Sequence, residues 1–244
     1  MMFGKMENLV IPEGSVVSVA CDGITLWRKS KLPIGYTELD YIEVTGSQFI
    51  DTGFVPNQDT RFVTELMMVS ISGNQNIYGA RQNANSADGA SRNFAFRVIS
   101  GKWQPCYGRN LRSTGIQADT TKWHMIDQNK NVCCIYGIDS HDEETITEST
   151  TVVDGVAVNV IDEQTFTSPH TFLIGAIRSG STSPGTLWYT KARFRRSQLY
   201  NNGELVRDLF PCLNPDGEAG MYDTVNAVFY GNAGANEFEY VRRV

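Results

Sequence analysis

The stretch LDYIEVTGSQFIDTGF, residues 39–54, carries the strongest fold signal in the chain. Two short runs of β-forming residues are separated by Thr45-Gly46-Ser47, and the second run ends at Gly53. Glycine at such points permits the backbone conformations of tight turns. The side chains that this pattern predicts for a core are Ile42, Phe49 and Ile50. The stretch therefore predicts two short strands joined by a turn, with no helix.

A second stretch near the other end of the chain has the same character. It begins as YNNGELVRDLFPC at residues 200–212 and continues through GMYD at 220–223 to FYGNAG at 229–234. The Asn-Asn-Gly triplet predicts a hairpin turn, because Asn and Gly accept positive φ. Adjacent residues of a strand point to opposite faces, so Arg207 and Asp208 are not expected to pair with each other. Asp223 and its neighbours are predicted to pin the closing strand to the sheet.

Between these two stretches the same alternation of short runs and turns continues, and no segment has a helical period. We predict strands at 38–44, 48–52, 59–71, 76–81, 92–100, 103–107, 122–128, 131–137, 145–153, 156–161, 171–177, 186–200, 204–210 and 226–230. Many short strands without helices indicate an all-β, two-sheet antiparallel sandwich or jelly roll, with an up-and-down barrel as the alternative.

The N-terminal segment is predicted to be separate from this sandwich. Residues 16–28 resemble a hairpin that turns at Asp22-Gly23, and the Lys-, Pro- and Gly-containing run at 29–35 resembles a linker. We therefore divide the chain into a segment at 1–31, a candidate attachment element, and a sandwich domain at 32–244.

The composition of the chain limits the kinds of partner and cofactor that we expect for it. The chain has 244 residues and a net charge of −6, which argues against nucleic acid. Five cysteines without zinc-ligand spacing favour reduced thiols over a disulfide framework or a metal site. The N-terminus lacks the pattern of a secretory signal, and no run approaches the ~20 apolar residues of a membrane span. We expect a protein made in a cytoplasm, with no membrane insertion, metal or cofactor.

The two quoted end stretches together resemble a family of laminin-G-like, concanavalin A-like domains found in bacteriophages, prophages and gut bacteria. The resemblance extends from about residue 32 to residue 238 and is specific at the ends only. It implies a jelly-roll sandwich in phage tail, fibre or head-decoration proteins, or in bacterial surface proteins, and a fold often used to bind carbohydrate.

One polar and aromatic group fits carbohydrate, which is held by an aromatic platform beside amides and charged groups. Its members are Arg81, Asn83, Asn85, Trp103 and Tyr107. The alternative is that the aromatic residues belong to the core, where tryptophan is mostly buried.

A hydrolase is the competing interpretation of ELDYIE at 38–43. Retaining glucanases of the same fold place two carboxyl groups about 5 Å apart on a strand of this type. Here Glu38 and Asp40 share a face, and Glu43 would join them only through a bulge. The alternative is a solvated acidic edge beside a core face formed by Leu39 and Tyr41. We therefore predict no catalytic residues.

The predicted strand at 186–200 divides its residues between two faces. Lys191, Arg193 and Arg195 form a basic stripe that we expect to be solvent-exposed. The opposite face, predicted as core, carries Trp188, Thr190, Ala192 and Phe194.

The sequence therefore leads to three hypotheses. The first is a non-enzymatic virion component that contacts cell-surface glycan. The second is a purely structural decoration or assembly protein that contacts other virion proteins, with a homo-oligomer as one form. The third is a glycan hydrolase. The expected location is the virion, with a bacterial cell surface as the alternative.

Overall fold

The computed structural model describes residues 18–21, 24–28, 31–82, 92–108, 110–111, 115–138, 165–180 and 185–243. The strands are β1 Ser18–Cys21, β2 Ile24–Arg28, β3 Thr37–Val44, β4 Ile50–Asp51, β5 Thr60–Met68, β6 Gln75–Arg81, β7 Asn93–Ile99, β8 Lys102–Gly108, β9 Asn110–Leu111, β10 Trp123–Asn129, β11 Val132–Ile138, β12 Leu173–Ile174, β13 Ala176–Ser179, β14 Thr186–Tyr189, β15 Ala192–Asn201, β16 Glu204–Leu213, β17 Ala219–Asp223, β18 Val228–Tyr230 and β19 Glu239–Arg242.

These strands form an all-β, two-sheet sandwich, so the predicted fold class is confirmed. The larger sheet has the order β11-β10-β5-β15-β3-β16-β17-β18, with β19 also pairing with β3. The smaller sheet has the order β14-β13-β6-β7-β8-β9, with β12 and β4 attached beside β6. One detail differs from the prediction: β13 and β6 pair in parallel, so the smaller sheet is mixed and not purely antiparallel.

The predicted N-terminal hairpin is present as β1 and β2, which pair antiparallel in a two-stranded sheet of their own. The predicted turn at Asp22-Gly23 lies outside the described residues, as do the strands predicted at 145–153 and 156–161.

The core lies between the two sheets and is rich in aromatic rings. In β5, buried residues alternate with partly exposed ones, as expected for a strand with one face on the core. Phe62 of this strand lies 4.5 Å from Tyr78 and 4.7 Å from Phe172, measured between ring centroids. Full burial of such a side chain contributes about 1.5–3 kcal/mol, so this cluster is a main source of the sandwich's stability.

A polar contact also joins the sheets through the core. Gln128 of the larger sheet accepts a hydrogen bond from the Tyr78 hydroxyl at 3.1 Å and donates one to the Cys106 carbonyl at 3.1 Å. Both partners belong to the smaller sheet, so the amide fixes the two layers in one register.

The larger sheet divides at the middle of β15. Residues Ala192–Phe194 pair with β3, whereas Ser197–Asn201 pair with β16. The register of β15 against β5 shifts between Phe194 and Ser197, which marks a bulge at the division. Residues 195 and 196 therefore do not alternate as a regular strand would.

The predicted roles of the second end stretch are confirmed. Asn202 and Gly203 both have positive φ and connect β15 to β16. Asp208 bonds to Arg196 at 2.7 and 2.8 Å and not to its neighbour in sequence. The Asp223 carboxylate accepts a hydrogen bond from the backbone N–H of Asp208 at 3.0 Å, which ties β17 to β16.

Within the described ranges no helix is long and apolar enough to cross a bilayer, and no three His, Cys, Asp or Glu side chains are placed to hold a metal ion. Free thiols are present at Cys106, Cys133, Cys134 and Cys212.

Candidate functional site

The predicted carbohydrate group is divided between the two faces of the smaller sheet. Along β8, Trp103 and Tyr107 point toward the larger sheet, whereas Gln104 and Cys106 point away from it. Trp103 is 1% exposed and stacks on Phe96 with a centroid distance of 5.4 Å. It is part of the core and presents no free face to a sugar.

Tyr107 also belongs to the interior side. Its hydroxyl donates to the Gln58 carbonyl at 2.8 Å, and its ring meets Phe166 edge-on with centroids 5.3 Å apart. Burial raises the pKa of this hydroxyl. Asn83 and Asn85 lie outside the described residues. Of the three members of the predicted group that the structure describes, Arg81 is the one that points away from the larger sheet.

The face to which Arg81 belongs carries several polar groups. The β6–β7 register places Ala80 opposite Phe94, so the next pair along the two strands is Arg81 opposite Asn93. Farther along, Arg97 lies opposite Gln104 and donates a hydrogen bond to it. We call this surface the outward face; its members are Arg81, Asn93, Ala95, Arg97, Gln104, Cys106, Ile177 and Trp188.

The floor of the outward face is apolar and tightly packed. Ala95, Cys106 and Ile177 form one buried cluster. Gly79 lies in the strand between them, and a Cβ atom there would lie 2.5 Å from the Ala95 Cα and closer still to the Phe94 carbonyl oxygen. A glycine is therefore required for this packing.

Two guanidinium groups lie above this floor, near the Cys106 sulfur. Burial lowers the pKa of Arg81, and the like charge of Arg97 adds to that effect, although the interaction with Cys106 opposes it. The Nε atoms of both arginines and the Oδ1 atom of Asn93 are buried and have no hydrogen-bond partner. In the described part of the chain, no carboxylate forms an ion pair with either arginine.

Trp188 occupies the edge of the outward face. It is 53% exposed and lies opposite Ile177 in the β13–β14 pair. Trp188 of β14 lies two strands away from Arg81 of β6 and, because Ile177 is level with Gly79, two residues along the strand from it. With neighbouring strands about 4.8 Å apart and a rise of about 3.3 Å per residue, the two backbone positions are about 12 Å apart. The prediction that Trp188 faces the core was wrong.

The cause of that error is a change of sheet within the predicted strand 186–200. β14 belongs to the smaller sheet and β15 to the larger one. Between them, the Gln75 side-chain oxygen accepts a hydrogen bond from the Lys191 backbone N–H at 2.9 Å. The alternation of side chains between core and solvent is interrupted where the chain crosses from one sheet to the other. Counting every second residue therefore places Ala192 and Phe194 in the core correctly but places Trp188 wrongly.

Arg193 and Arg195 of the larger sheet differ from the arginines of the outward face because each is paired with a carboxylate. Arg193 pairs with Glu43 at 2.7 Å, and Arg195 pairs with Asp40 at 3.1 Å. Arg195 is only 7% exposed and its guanidinium lies 3.8 Å from the Trp123 ring centroid. The predicted solvent-exposed basic stripe is therefore wrong at Arg195.

These ion pairs involve the carboxylates that the hydrolase hypothesis would use for catalysis. The β3–β19 register skips one residue between Leu39 and Tyr41, so the bulge that this hypothesis required is present. Glu38 accepts a hydrogen bond from Arg243, so each of Glu38, Asp40 and Glu43 is held by an arginine. Tyr41 lies beside Arg193 with 5.0 Å between the guanidinium carbon and the ring centroid, not in the core.

A cleft of about 420 Å³ lies at one end of the sandwich, between the β16–β17 turn and the segment before β19. It is lined by Asp216, Glu218, Glu237 and Tyr240, among others. Its amides are already used: Asn232 bonds to the Phe49 and Gly234 N–H groups, and Asn236 donates to Ser47. These hydrogen bonds hold together the segments around the cleft, so its amide side chains have a structural role.

No family model matches the sequence, and no curated protein matches it. Among solved structures, three of the most similar are sialidases of Trypanosoma rangeli: a mutant displaying trans-sialidase activity, a complex with 2,3-difluorosialic acid as covalent intermediate, and a complex with the inhibitor DANA. Identities are 14%, 14% and 13%, and TM-scores are 0.31, 0.33 and 0.32.

These matches cover 58%, 61% and 61% of this chain but only 20%, 21% and 20% of the sialidases, so the chain spans about a fifth of their length. Similarity at this level carries no argument about the role of the protein.

Proposed function

We propose that this protein is a non-enzymatic component of a phage virion, of the tail, fibre or head-decoration type, whose laminin-G-like sandwich contacts cell-surface glycan. The setting rests on the resemblance of residues 39–54 and 200–234 to that family. A bacterial surface protein with the same binding role is the alternative location.

The observation that carries the glycan proposal is the exposed ring of Trp188 on the same face as polar atoms that lack a partner among the described residues. Sugars present apolar C–H faces that pack on aromatic rings and hydroxyls that require fixed donors and acceptors. Arg81 and Asn93 supply such polar groups beside a rigid floor. A half-exposed tryptophan contributes little to folding, so a contact role explains its position better than a packing role.

Replacement of Trp188 by alanine tests this proposal. We expect Trp188→Ala to weaken binding to the best-bound glycan at least about tenfold, as truncation of a central aromatic contact does. Binding is measured by calorimetry after a screen of the parent protein on a broad glycan panel and on whole cells. The melting temperature should remain unchanged.

Tyr240→Ala is the matched control, because Tyr240 is an aromatic residue of similar exposure, 40%, on the larger sheet. It should bind as the parent does. A parent protein that binds neither glycans nor cells, or a Trp188→Ala variant with full affinity, would count against the proposal.

A purely structural virion role is the second candidate, favoured by the separate two-stranded sheet of β1 and β2. A hairpin outside the sandwich sheets suits attachment to another virion protein. Particles that still carry the protein after deletion of residues 1–30 would argue against this attachment role.

A further inference from the structure

The outward face contains positive charge that the described residues do not neutralise. Six arginines on the larger sheet or its edge each have an acidic partner: Arg61, Arg193, Arg195, Arg196, Arg207 and Arg243. Arg81 and Arg97 have none in the described ranges. Burying like charges near each other is unfavourable, so their persistence on one face indicates a partner from outside.

The geometry favours a small anionic group. Two guanidinium groups present planar sets of donors, which match the two oxygens of a carboxylate. Asn93 adds a hydrogen-bond acceptor to these donors. Its Oδ1 atom has no hydrogen-bond partner in the parts of the chain that the structure describes, and the residue is 2% exposed. An acceptor beside donors fits a hydroxyl next to a carboxylate, which is the arrangement on an acidic sugar.

Trp188 sets the size of the ligand. The backbone positions of Trp188 and Arg81 are about 12 Å apart, farther than one pyranose ring reaches. The ligand is therefore a chain of sugars, with a neutral ring face at Trp188 and an acidic group at Arg81. The net charge of −6 argues against a polyanion such as nucleic acid, which requires an extended positive surface.

We infer that the outward face selects an acidic oligosaccharide, with a sugar carboxylate bound between Arg81 and Arg97, a sugar hydroxyl at Asn93 and a second ring on Trp188. This inference rests on the proposed glycan-binding function and specifies its substrate class.

The test compares three oligosaccharide probes of equal length by calorimetry: a hexuronic acid chain in which one residue is the uronic acid and the others are neutral sugars, the same chain with that carboxyl group reduced to an alcohol, and the same chain with one sulfate in place of the carboxylate. The parent protein should bind the hexuronic acid chain at least tenfold more tightly than the reduced chain. Arg81→Gln and, separately, Arg97→Gln should remove that preference and leave both affinities equal.

Arg61→Gln is the matched control. It changes the net charge by the same amount, but Arg61 lies on the larger sheet and is paired with Asp127 at 2.7 Å. It should keep the tenfold preference, which separates a local carboxylate site from a general charge effect. Thermal melts of all variants confirm that each is folded.

Each contrary result has one meaning. Equal affinity of the parent for the acidic and reduced chains overturns the inference and leaves the glycan function standing. Tighter binding of the sulfated chain overturns the carboxylate assignment. Binding of no glycan by the parent overturns the proposed function itself. Retention of the preference in both Arg81→Gln and Arg97→Gln moves the site away from the outward face.

Discussion

At the residue scale, the outward face depends on one position without a side chain. Gly79 has a φ of 112° and lies between strands whose residues Ile177 and Ala95 meet in one cluster. A side chain at position 79 would separate these residues and displace the support beneath Arg81. Such a change would affect binding only indirectly, because the Arg81 guanidinium would lose the support that fixes its position.

Gly79→Ala should therefore destabilise the protein by about 3 kcal/mol or more, since a steric clash adds to an unfavourable backbone angle. Gly53→Ala is the control: its φ is 65° and a methyl group there would have no atom within 4 Å, so the backbone conformation alone should cost about 1 kcal/mol. Chemical denaturation measures both. Equal losses at the two positions would show that the clash has no effect.

At the element scale, the closing strand β17 depends on a buried carboxylate. Asp223 is fully buried and accepts hydrogen bonds from the N–H groups of Asp208 and Val225, both at 3.0 Å, and from the Asn226 amide at 2.8 Å. Arg207 lies 3.5 Å away. One side chain thus joins β16, β17 and the turn that leads to β18.

Asp223→Ala should lower the free energy of unfolding by about 3 kcal/mol, because it leaves several buried donors unpaired at once. Asp216→Ala, in the exposed turn between β16 and β17, changes the same residue type and the same charge and should cost less than about 0.5 kcal/mol. Urea denaturation distinguishes them. A small loss for Asp223→Ala would mean that the turn relaxes and exposes its donors to water.

Sequence reasoning worked for elements whose signal is local. The Asn202-Gly203 turn and the alternation in β5 follow from residue type alone, and the strands they bound were predicted within a few residues. The short strands β9, β17 and β19 were missed, because each has at most five residues and is defined by its partner and not by its own pattern.

The candidate site was harder to predict because it depends on which sheet each strand joins. Trp103 and Arg81 were predicted to lie together near one polar loop, but their strands place them on opposite faces of the smaller sheet. Trp188 was assigned to the core because the chain crosses between sheets after it, which interrupts the alternation of core and solvent residues. No residue type in the sequence indicates such a crossover. Arg81 was identified from its chemistry; its lack of an acidic partner among the described residues required the fold.

At the scale of the whole molecule, two buried histidines link stability to pH. Burial lowers the pKa of His124 most, against the opposing effect of Asp119 at 3.3 Å. Burial also lowers the pKa of His170, whose ring bonds to the Gly180 carbonyl at 3.0 Å. Both side chains are therefore held neutral in the folded state at a pH where they would take up protons if the chain unfolded.

The sign of the pH dependence follows from this difference. A histidine in the unfolded chain binds a proton below about pH 6.5, whereas the folded protein resists protonation until a lower pH. The stabilisation is complete above about pH 7 and is lost as the pH falls from 6.5 toward the folded pKa values. The slope approaches about 1.4 kcal/mol per pH unit for each histidine in that window.

Denaturation in urea at several pH values between 8 and 5.5 should show this loss, above the range in which most carboxylates titrate. The double variant His124→Gln/His170→Gln cannot take up these protons and should give a flatter profile than the parent. If the variant keeps the parent's slope, the pH dependence arises elsewhere in the molecule. A flattened profile would show that acid destabilises the sandwich from its interior, through the buried rings of His124 in β10 and of His170 in the segment before β12, and not through its paired surface charges.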